Sequence, residues 1–247
     1  MRDQNLAVVI LAAGKGTRMK SGLAKVLHLL DGKPLLEHVL NQVSSLEPMR
    51  VILVVGYQAE EVKREINSPD IEYVLQEEQL GTGHAVMQSE KALAGFEGDV
   101  LVLCGDMPLI KPDTLKFLLE AHREKQTACT FLSLKAEENK DFGRVIRDDA
   151  GNVLKIVEHR DATAMEKTVD EYNSGVYCFQ KGLLFKALTD IKPENVQGEF
   201  YLTDTVQMLL KSGHLVQAIP KKDANEILGI NSIDDLNRAE QLLSENF

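Results

Sequence analysis

The sequence predicts an α/β protein: a mixed, mostly parallel sheet flanked by helices. Three observations predict it. Short apolar runs alternate with segments of helical periodicity through the first half of the chain. The first run, Val8-Val9-Ile10-Leu11, passes directly into Ala12-Ala13-Gly14-Lys15-Gly16, a strand followed by almost bare backbone. After residue 140 the alternation gives way to two extended runs around Asp149-Ala150-Gly151, the pattern of a hairpin.

Each element has its own signal. Residues 6–11 form the first strand. Pro34 opens a helix over 34–46, with Leu36, Val39, Leu40 and Val43 at helical spacing. Residues 51–55 are continuously apolar, as a strand covered on both faces requires. Residues 72–75 make a further short strand. Thr82 is placed to cap a helix over 83–93. Residues 99–103 form the next strand, Pro112 begins a helix to Lys125, and residues 128–134 are extended again. Past the hairpin, 173–179 is a strand, 202–211 a helix closed by Gly213, and 215–219 a strand. The last helix, 232–245, has Ser232 as its N-cap and Asp235 near N3. Sheets of this kind bind ligands beyond the carboxyl ends of their strands. The Gly14-Gly16 loop lies at one such end, and Cys104-Gly105-Asp106-Met107-Pro108 at another.

Bulk properties exclude several classes. At 44% hydrophobic, 247 residues bury a sizeable core, yet no apolar run approaches the roughly 18 residues of a membrane span. The amino-terminal run flows into glycines without the boundary of a signal peptide, so a cytoplasmic protein with no membrane partner is expected. Cys104, Cys129 and Cys178 are odd in number and far apart, which suits three reduced thiols. A formal charge of −10 argues against nucleic acid as a partner. It also means that an anionic ligand must be held by local cations, backbone N–H groups or a metal.

The loop fits neither common glycine fingerprint. It lacks the spacing of a P-loop, and Thr17-Arg18-Met19 stands where a dinucleotide fingerprint needs its third glycine. By itself it could be a tight turn. The cations around it favour polyphosphate, since bare backbone admits phosphates to the N–H groups. Arg18 and Lys25 are then candidates to neutralise charge that develops there, whereas Lys20 reads as a solvated surface charge.

These residues reach a resemblance. Leu11–Ser21 with Lys25-Val26-Leu27-His28 is similar to the G-x-G-T-R signature and downstream lysine of the sugar-nucleotide pyrophosphorylases. QEEQLGTGHAV (76–86), GDMPLI (105–110), FGRVIRD (142–148), IVEHRDAT (156–163), NSGVY (173–177), QGEFYLTD (197–204) and GIN (229–231) follow in that family's order. Together they resemble the uridylyltransferase half of the bacterial bifunctional N-acetylglucosamine-1-phosphate uridylyltransferases. The resemblance implies a Rossmann-like fold of the nucleotide-diphospho-sugar transferase type, with a nucleotidyltransferase domain over residues 1–231. It implies UTP and N-acetylglucosamine 1-phosphate as substrates, UDP-N-acetylglucosamine and pyrophosphate as products, and Mg²⁺ as cofactor. Such a product is a precursor of peptidoglycan and lipopolysaccharide.

Carried over residue by residue, the resemblance makes Arg18, Lys25 and Asp106 catalytic and Asp106 with Asn231 the metal ligands. Leu11, Ala12, Ala13, Gly14, Gly16, Gln76, Gly81 and Thr82 fall to the nucleotide. Gly105, Gly143, Glu158, Asn173, Glu199 and Tyr201 fall to the sugar. Taken alone, Asp106 could be a turn-former before Pro108, Gln76 an exposed strand end, and Glu158 or Asn173 a solvated or turn residue. His84 and His159 read as structural, because the attacking phosphate is already an anion and no base is required.

Two substitutions and a length depart from the pattern. Ala24 stands where relatives have proline, and Cys104 where they often have an aromatic residue. The bifunctional relatives continue into a β-helix of hexapeptide repeats. No such repeat occurs here, so acetyl transfer is not expected of this chain and 232–247 is expected to start a connector. Oligomeric state stays open. So do another sugar 1-phosphate or base (a glucose-1-phosphate uridylyl- or thymidylyltransferase, or a cytidylyltransferase) and a non-catalytic nucleotide-sugar-binding module.

Overall fold

The computed structural model describes residues 3–136, 142–221, 223–227 and 229–244. Their centre is a strand, β1 (Asp3–Ala12), whose residues Leu6 to Ile10 are wholly buried. β1 is followed by a two-stranded ribbon of β2 (Leu29–Leu30) and β3 (Lys33–Pro34), then helix α1 (Leu35–Ser44) and β4 (Pro48–Val55). Next come α2 (Ala59–Glu65), β5 (Ile71–Leu75), α3 (Thr82–Met87), β6 (Asp99–Cys104), α4 (Pro112–Lys125) and β7 (Cys129–Lys135). The second half supplies β8 (Arg144–Arg147), β9 (Val153–Val157), β10 (Glu171–Gln180), α5 (Lys181–Asp190), α6 (Asp204–Lys211), β11 (Val216–Lys221) and α7 (Ile233–Ser244).

Nine strands form one mixed sheet among the described residues, seven of them in the order β11-β7-β10-β6-β1-β4-β5. β10 runs antiparallel to both β6 and β7, and the other pairs along this path are parallel. The expected hairpin is present as β8 and β9, joined to the sheet through β10. The core follows from strand alternation. Ala7 and Val9 pack on one face with Phe131, Leu184 and Val206, whereas Leu6, Val8 and Ile10 pack on the other with Leu36, Val39 and Leu115. That two-sided burial is why residues 6–11 and 51–55 read as unbroken apolar runs.

Several expected boundaries shift. α1 begins at Leu35, because Pro34 takes the N-cap place and pairs in β3. The helix expected over 83–93 ends at Met87, and Thr82 does not cap it: its hydroxyl accepts from the Leu202 N–H at 3.1 Å. α2 and α5 have no expected counterpart. The last helix starts as the sequence implies. Asp235 donates its N–H to the Ser232 hydroxyl at 3.2 Å, and its carboxylate accepts from the Ser232 N–H at 2.9 Å, a reciprocal cap. The expected end of this helix at Glu245 lies outside the described residues. α7 packs Ala239 against Met19, Leu30, Leu35 and Ile230. Among the described residues no helix is long and apolar enough to cross a membrane.

Core and surface aromatics should separate cleanly in a stability measurement. Phe131 is fully buried with its ring centroid 5.6 Å from that of Tyr177, and Phe117 on α4 is 51% exposed. Phe131→Ala is expected to cost about 3–5 kcal/mol in urea unfolding. Phe117→Ala should stay within about 0.5 kcal/mol. Equal losses at both positions would contradict the assigned core.

Candidate active site

The chain leaves β1 toward β4 on one side, and leaves β6 through α4 toward β7 on the other. Two parallel neighbours whose connections diverge leave a crevice at their carboxyl ends. Two cavities open there, of ≈ 270 Å³ and ≈ 280 Å³, and they share Lys25, Cys104 and Asp106.

The first cavity gathers most of the residues expected at the nucleotide. Leu11, Ala12, Ala13 and Gly14 line it from the end of β1, and Gln76, Gly81 and Thr82 from beyond β5. No atom lies within 4 Å of where a Cβ on Gly14 would stand, so the approach to this backbone is open. Gly81 has φ +108°, and a Cβ there would meet the Phe200 carbonyl oxygen at 2.6 Å. Gly16 stands apart from these residues. It lines neither cavity, and at φ +64° its missing Cβ makes room for the Lys25 stem, which a Cβ would strike at 2.5 Å. Ala24, just before, is buried at φ −55°. That is close to the angle a proline would impose, so alanine holds the turn in a proline-like conformation.

The second cavity takes Arg18, Gly143, Glu158, Asn173 and Asn231. The Asn173 N–H donates to the Gly143 carbonyl at 2.8 Å, holding these two together. Glu158 accepts from the Thr203 hydroxyl at 3.0 Å. Burial first, then the charges of Asp204, Asp161 and Glu199, push its carboxyl above the usual range. Three of the expected sugar contacts fall elsewhere. Glu199 lines the first cavity. Tyr201 is buried outside both, its hydroxyl donating to Asp161 at 3.3 Å. Gly105 lies in neither: its N–H donates to the Leu11 carbonyl at 2.9 Å, and a Cβ would meet Leu36 at 3.0 Å.

Where the cavities join, charge is concentrated. The Lys25 ammonium pairs with the Asp106 carboxylate and donates to Asn231 Oδ1 at 3.0 Å. Arg18 donates to the same Asn231 oxygen at 2.9 Å. Backbone fixes the two oxygen donors against each other, since the Ile230 N–H donates to the Asp106 carbonyl at 2.8 Å. The Asn231 N–H in turn donates to Asp235 at 3.0 Å, tying it to the cap of α7. A carboxylate and an amide oxygen suit a hard cation such as Mg²⁺, which completes its shell with water and phosphate. A Cβ on Gly229 would lie 3.9 Å from both Asp106 carboxylate oxygens, so glycine leaves this cradle clear. The Lys25 ammonium itself stands as a cation against both donors. Among the described residues no group of three or more His, Cys, Asp or Glu could hold a metal ion.

Residues without an expected part also appear. Cys104 touches both cavities, and burial, with the Asp106 charge adding, pushes its thiol up to about 12. Cys129 and Cys178 are buried, and all three thiols are free. Lys15 sits over the Tyr57 ring, 5.4 Å from its centroid. His159 Nδ1 faces an Arg144 N–H at 3.0 Å and therefore accepts, in keeping with a structural part. His84 lies 3.1 Å from the Gln76 amide. Nothing in the sequence pairs those two, because their contact depends on where β5 ends and α3 begins.

Residues 7–240 match the nucleotidyl transferase family. Over 235 residues the chain is 47% identical to the bifunctional protein GlmU of Listeria monocytogenes serotype 4a (strain HCC23), covering 95% of this chain and 51% of that protein. It is 45% identical over 239 residues to the bifunctional protein GlmU of Halalkalibacterium halodurans, covering 97% and 52%. The chain thus spans about half the length of the curated relatives it matches. Among solved structures, a UDP-glucose pyrophosphorylase complexed with UDP-glucose superposes with a TM-score of 0.78 at 19% identity, covering 98% of this chain and 99% of that one. The inositol-1-phosphate CTP transferase from T. maritima gives 0.72 at 21%, covering 99% and 97%. At those identities the likeness is one of fold. The ordered motif blocks and the match along nearly the whole sequence agree, and the chain belongs to the nucleotidyl transferase family.

Proposed function

We propose that this chain transfers a uridylyl group from UTP to N-acetylglucosamine 1-phosphate, with Mg²⁺ as cofactor, giving UDP-N-acetylglucosamine and pyrophosphate. One observation carries the reading: two cavities share Lys25 and Asp106, and Asn231 in the second stands against Lys25. A nucleotide in the first and a sugar phosphate in the second would bring their phosphates together at that junction. The sugar-phosphate oxygen then attacks the α-phosphorus, the bond to the bridging oxygen breaks, and pyrophosphate leaves. No proton needs removing, so no base is required. What this chain supplies is position and charge.

Lys25 and Arg18 are the cations for the phosphates. With ligand present they would exchange their present partners, Asp106 and Asn231, for phosphate oxygens. Those two residues would hold Mg²⁺, which supplies Lewis-acid charge to the phosphates when bound. Glu158 and Asn173 are placed to accept from and donate to sugar hydroxyls. We place the reaction in the cytoplasm, where three unpaired thiols stay reduced. The resemblance carried by the motif blocks favours N-acetylglucosamine over other sugars. Residues 1–231 are proposed as the catalytic domain and 232–247 as the start of a connector.

Pyrophosphate release from Mg²⁺, each nucleoside triphosphate and a panel of sugar 1-phosphates tests this directly. Turnover is expected with UTP and N-acetylglucosamine 1-phosphate. No turnover with any pair would leave a binding module, and preference for glucose 1-phosphate would change the sugar.

Asp106→Asn is expected to lower turnover by on the order of 100-fold and to raise the Mg²⁺ requirement, with circular dichroism unchanged. Wild-type kinetics in that variant would remove Asp106 from the metal site.

Glu158→Gln should trade binding for stability. The raised carboxyl disfavours the charged form in the folded state, so its stabilising effect is complete below the ordinary carboxylate range and lost as pH rises through the folded value. The variant is therefore expected to melt higher than wild type near pH 7, with the difference vanishing toward pH 4, while KM for the sugar phosphate rises about tenfold. A melting difference that grew on acidification would contradict the assignment.

A further inference from the structure

Gln76 is 3% exposed, yet it lines the first cavity. Its Nε2 lies 3.1 Å from the Gly81 carbonyl oxygen and 3.1 Å from Nδ1 of His84. A carbonyl oxygen only accepts, so the amide must turn its NH₂ toward Gly81. The second hydrogen of that NH₂ then meets Nδ1, which has to offer a lone pair. Neutral His84 accordingly carries its proton on Nε2. With both hydrogens engaged, the Gln76 amide has its oxygen left for the cavity. His84 is itself held in place. Its ring lies 6.2 Å from that of Phe200, and the Gln88 Nε2 stands 3.1 Å from both its ring Nε2 and its backbone carbonyl; with the proton on the ring Nε2, this half-buried amide turns its oxygen to the ring and gives up the carbonyl, as the buried Gln76 amide cannot.

The consequence is a choice of base. Uracil offers an N3–H donor beside a C4 carbonyl. Cytosine offers a lone pair and an amino group at the same two positions. An amide oxygen held toward the cavity pairs with the uracil N3–H and faces the cytosine N3 lone pair. An amide free to turn over would present NH₂ instead and would accept cytosine. We infer that His84 is a positioning residue that locks the Gln76 amide in the orientation selecting uracil over cytosine, a step that rests on the uridylyl-transfer reading for the identity of the occupant. Gly81 holds one of the two hydrogens and His84 the other. Turning the amide over costs two hydrogen bonds in the present protein and one once His84 is gone.

The test compares UTP and CTP on the full chain with Mg²⁺, by calorimetric binding without sugar phosphate and by kcat/KM with it. His84→Leu is expected to lower the UTP-over-CTP preference about tenfold, the worth of one such bond. His84→Asn returns an acceptor oxygen to the place of Nδ1 and should restore most of the preference. In a Gln76→Ala background the leucine change should add nothing, as expected if it acts through Gln76. A preference unchanged by His84→Leu, or an equal fall for both nucleotides, overturns the inference. Side-chain nitrogen NMR of the unaltered protein is an independent measurement: Nδ1 should be unprotonated, and a proton there refutes the lock whatever the variants do. Selective binding of UTP without pyrophosphate release from any sugar phosphate would end the catalytic reading and leave the lock standing. Binding of neither nucleotide would end both.

Discussion

The Lys25 ammonium contacts the Asp106 carboxylate and the Asn231 amide oxygen, groups 81 and 206 positions further along the chain. Three segments that meet only through tertiary structure thus share one charged point. A lysine of this kind, little exposed, needs a counter-charge at hand. Asp106, 7% exposed, needs one equally. Each makes the other tolerable, and the pair leaves the junction of the cavities rich in charge without bulk.

Much of the surrounding backbone exists to keep that contact in register. Gly16 has no Cβ, so the lysine stem passes beneath the loop. Ala24 holds a proline-like angle at the start of the turn carrying Lys25. β1 and β6 end side by side, and the Gly105 N–H continues their pairing onto Leu11, which sets Asp106 one residue beyond the sheet. From the far end of the chain, the Ile230 N–H grips the Asp106 carbonyl and the α7 cap grips Asn231. The packing of Ala239 on Met19, Leu30 and Leu35 gives that cap a fixed base. A terminal helix is in this way coupled to the chemistry through two hydrogen bonds.

How much of this the sequence discloses depends on the kind of signal. Central strands are plain because burial on both faces leaves unbroken apolar runs at 6–11 and 51–55. α4 is plain because Pro112 stands at its first position. α2 is obscure because only Val62 among its seven residues is fully buried, too little for a periodic stripe. The short α3 misleads for another reason. Apolar residues continue to Leu93 and Phe96 in turns that still face the core, so the spacing outlasts the helix. At the site, motif order brings Lys25, Asp106 and Asn231 together correctly. It does not tell a residue that lines a cavity from one that stands behind the wall, where the fold puts Gly16, Gly105 and Tyr201. Glu199 shows the same limit. Its block is read with the sugar, yet the Phe200 N–H donates to the Leu80 carbonyl at 2.8 Å and draws that segment onto the first cavity.

The charge of the whole chain bears on how a substrate is received. On the proposed reading, a protein of formal charge −10 receives two anions and must confine its positive potential. Here Arg18 and Lys25 stand in the second cavity with Glu158, whose carboxyl feels the charges of Asp204, Asp161 and Glu199. On the proposed reading, that gradient orients the sugar phosphate before any specific contact forms. Its anionic end is repelled from the acidic groups and drawn to the cations, and its neutral hydroxyls are left to the carboxylates. On that reading the acidic groups about Glu158 and the Lys25 pair belong to one arrangement: the first keep phosphate out of the sugar's place, and the second keeps a place for it beside Asp106.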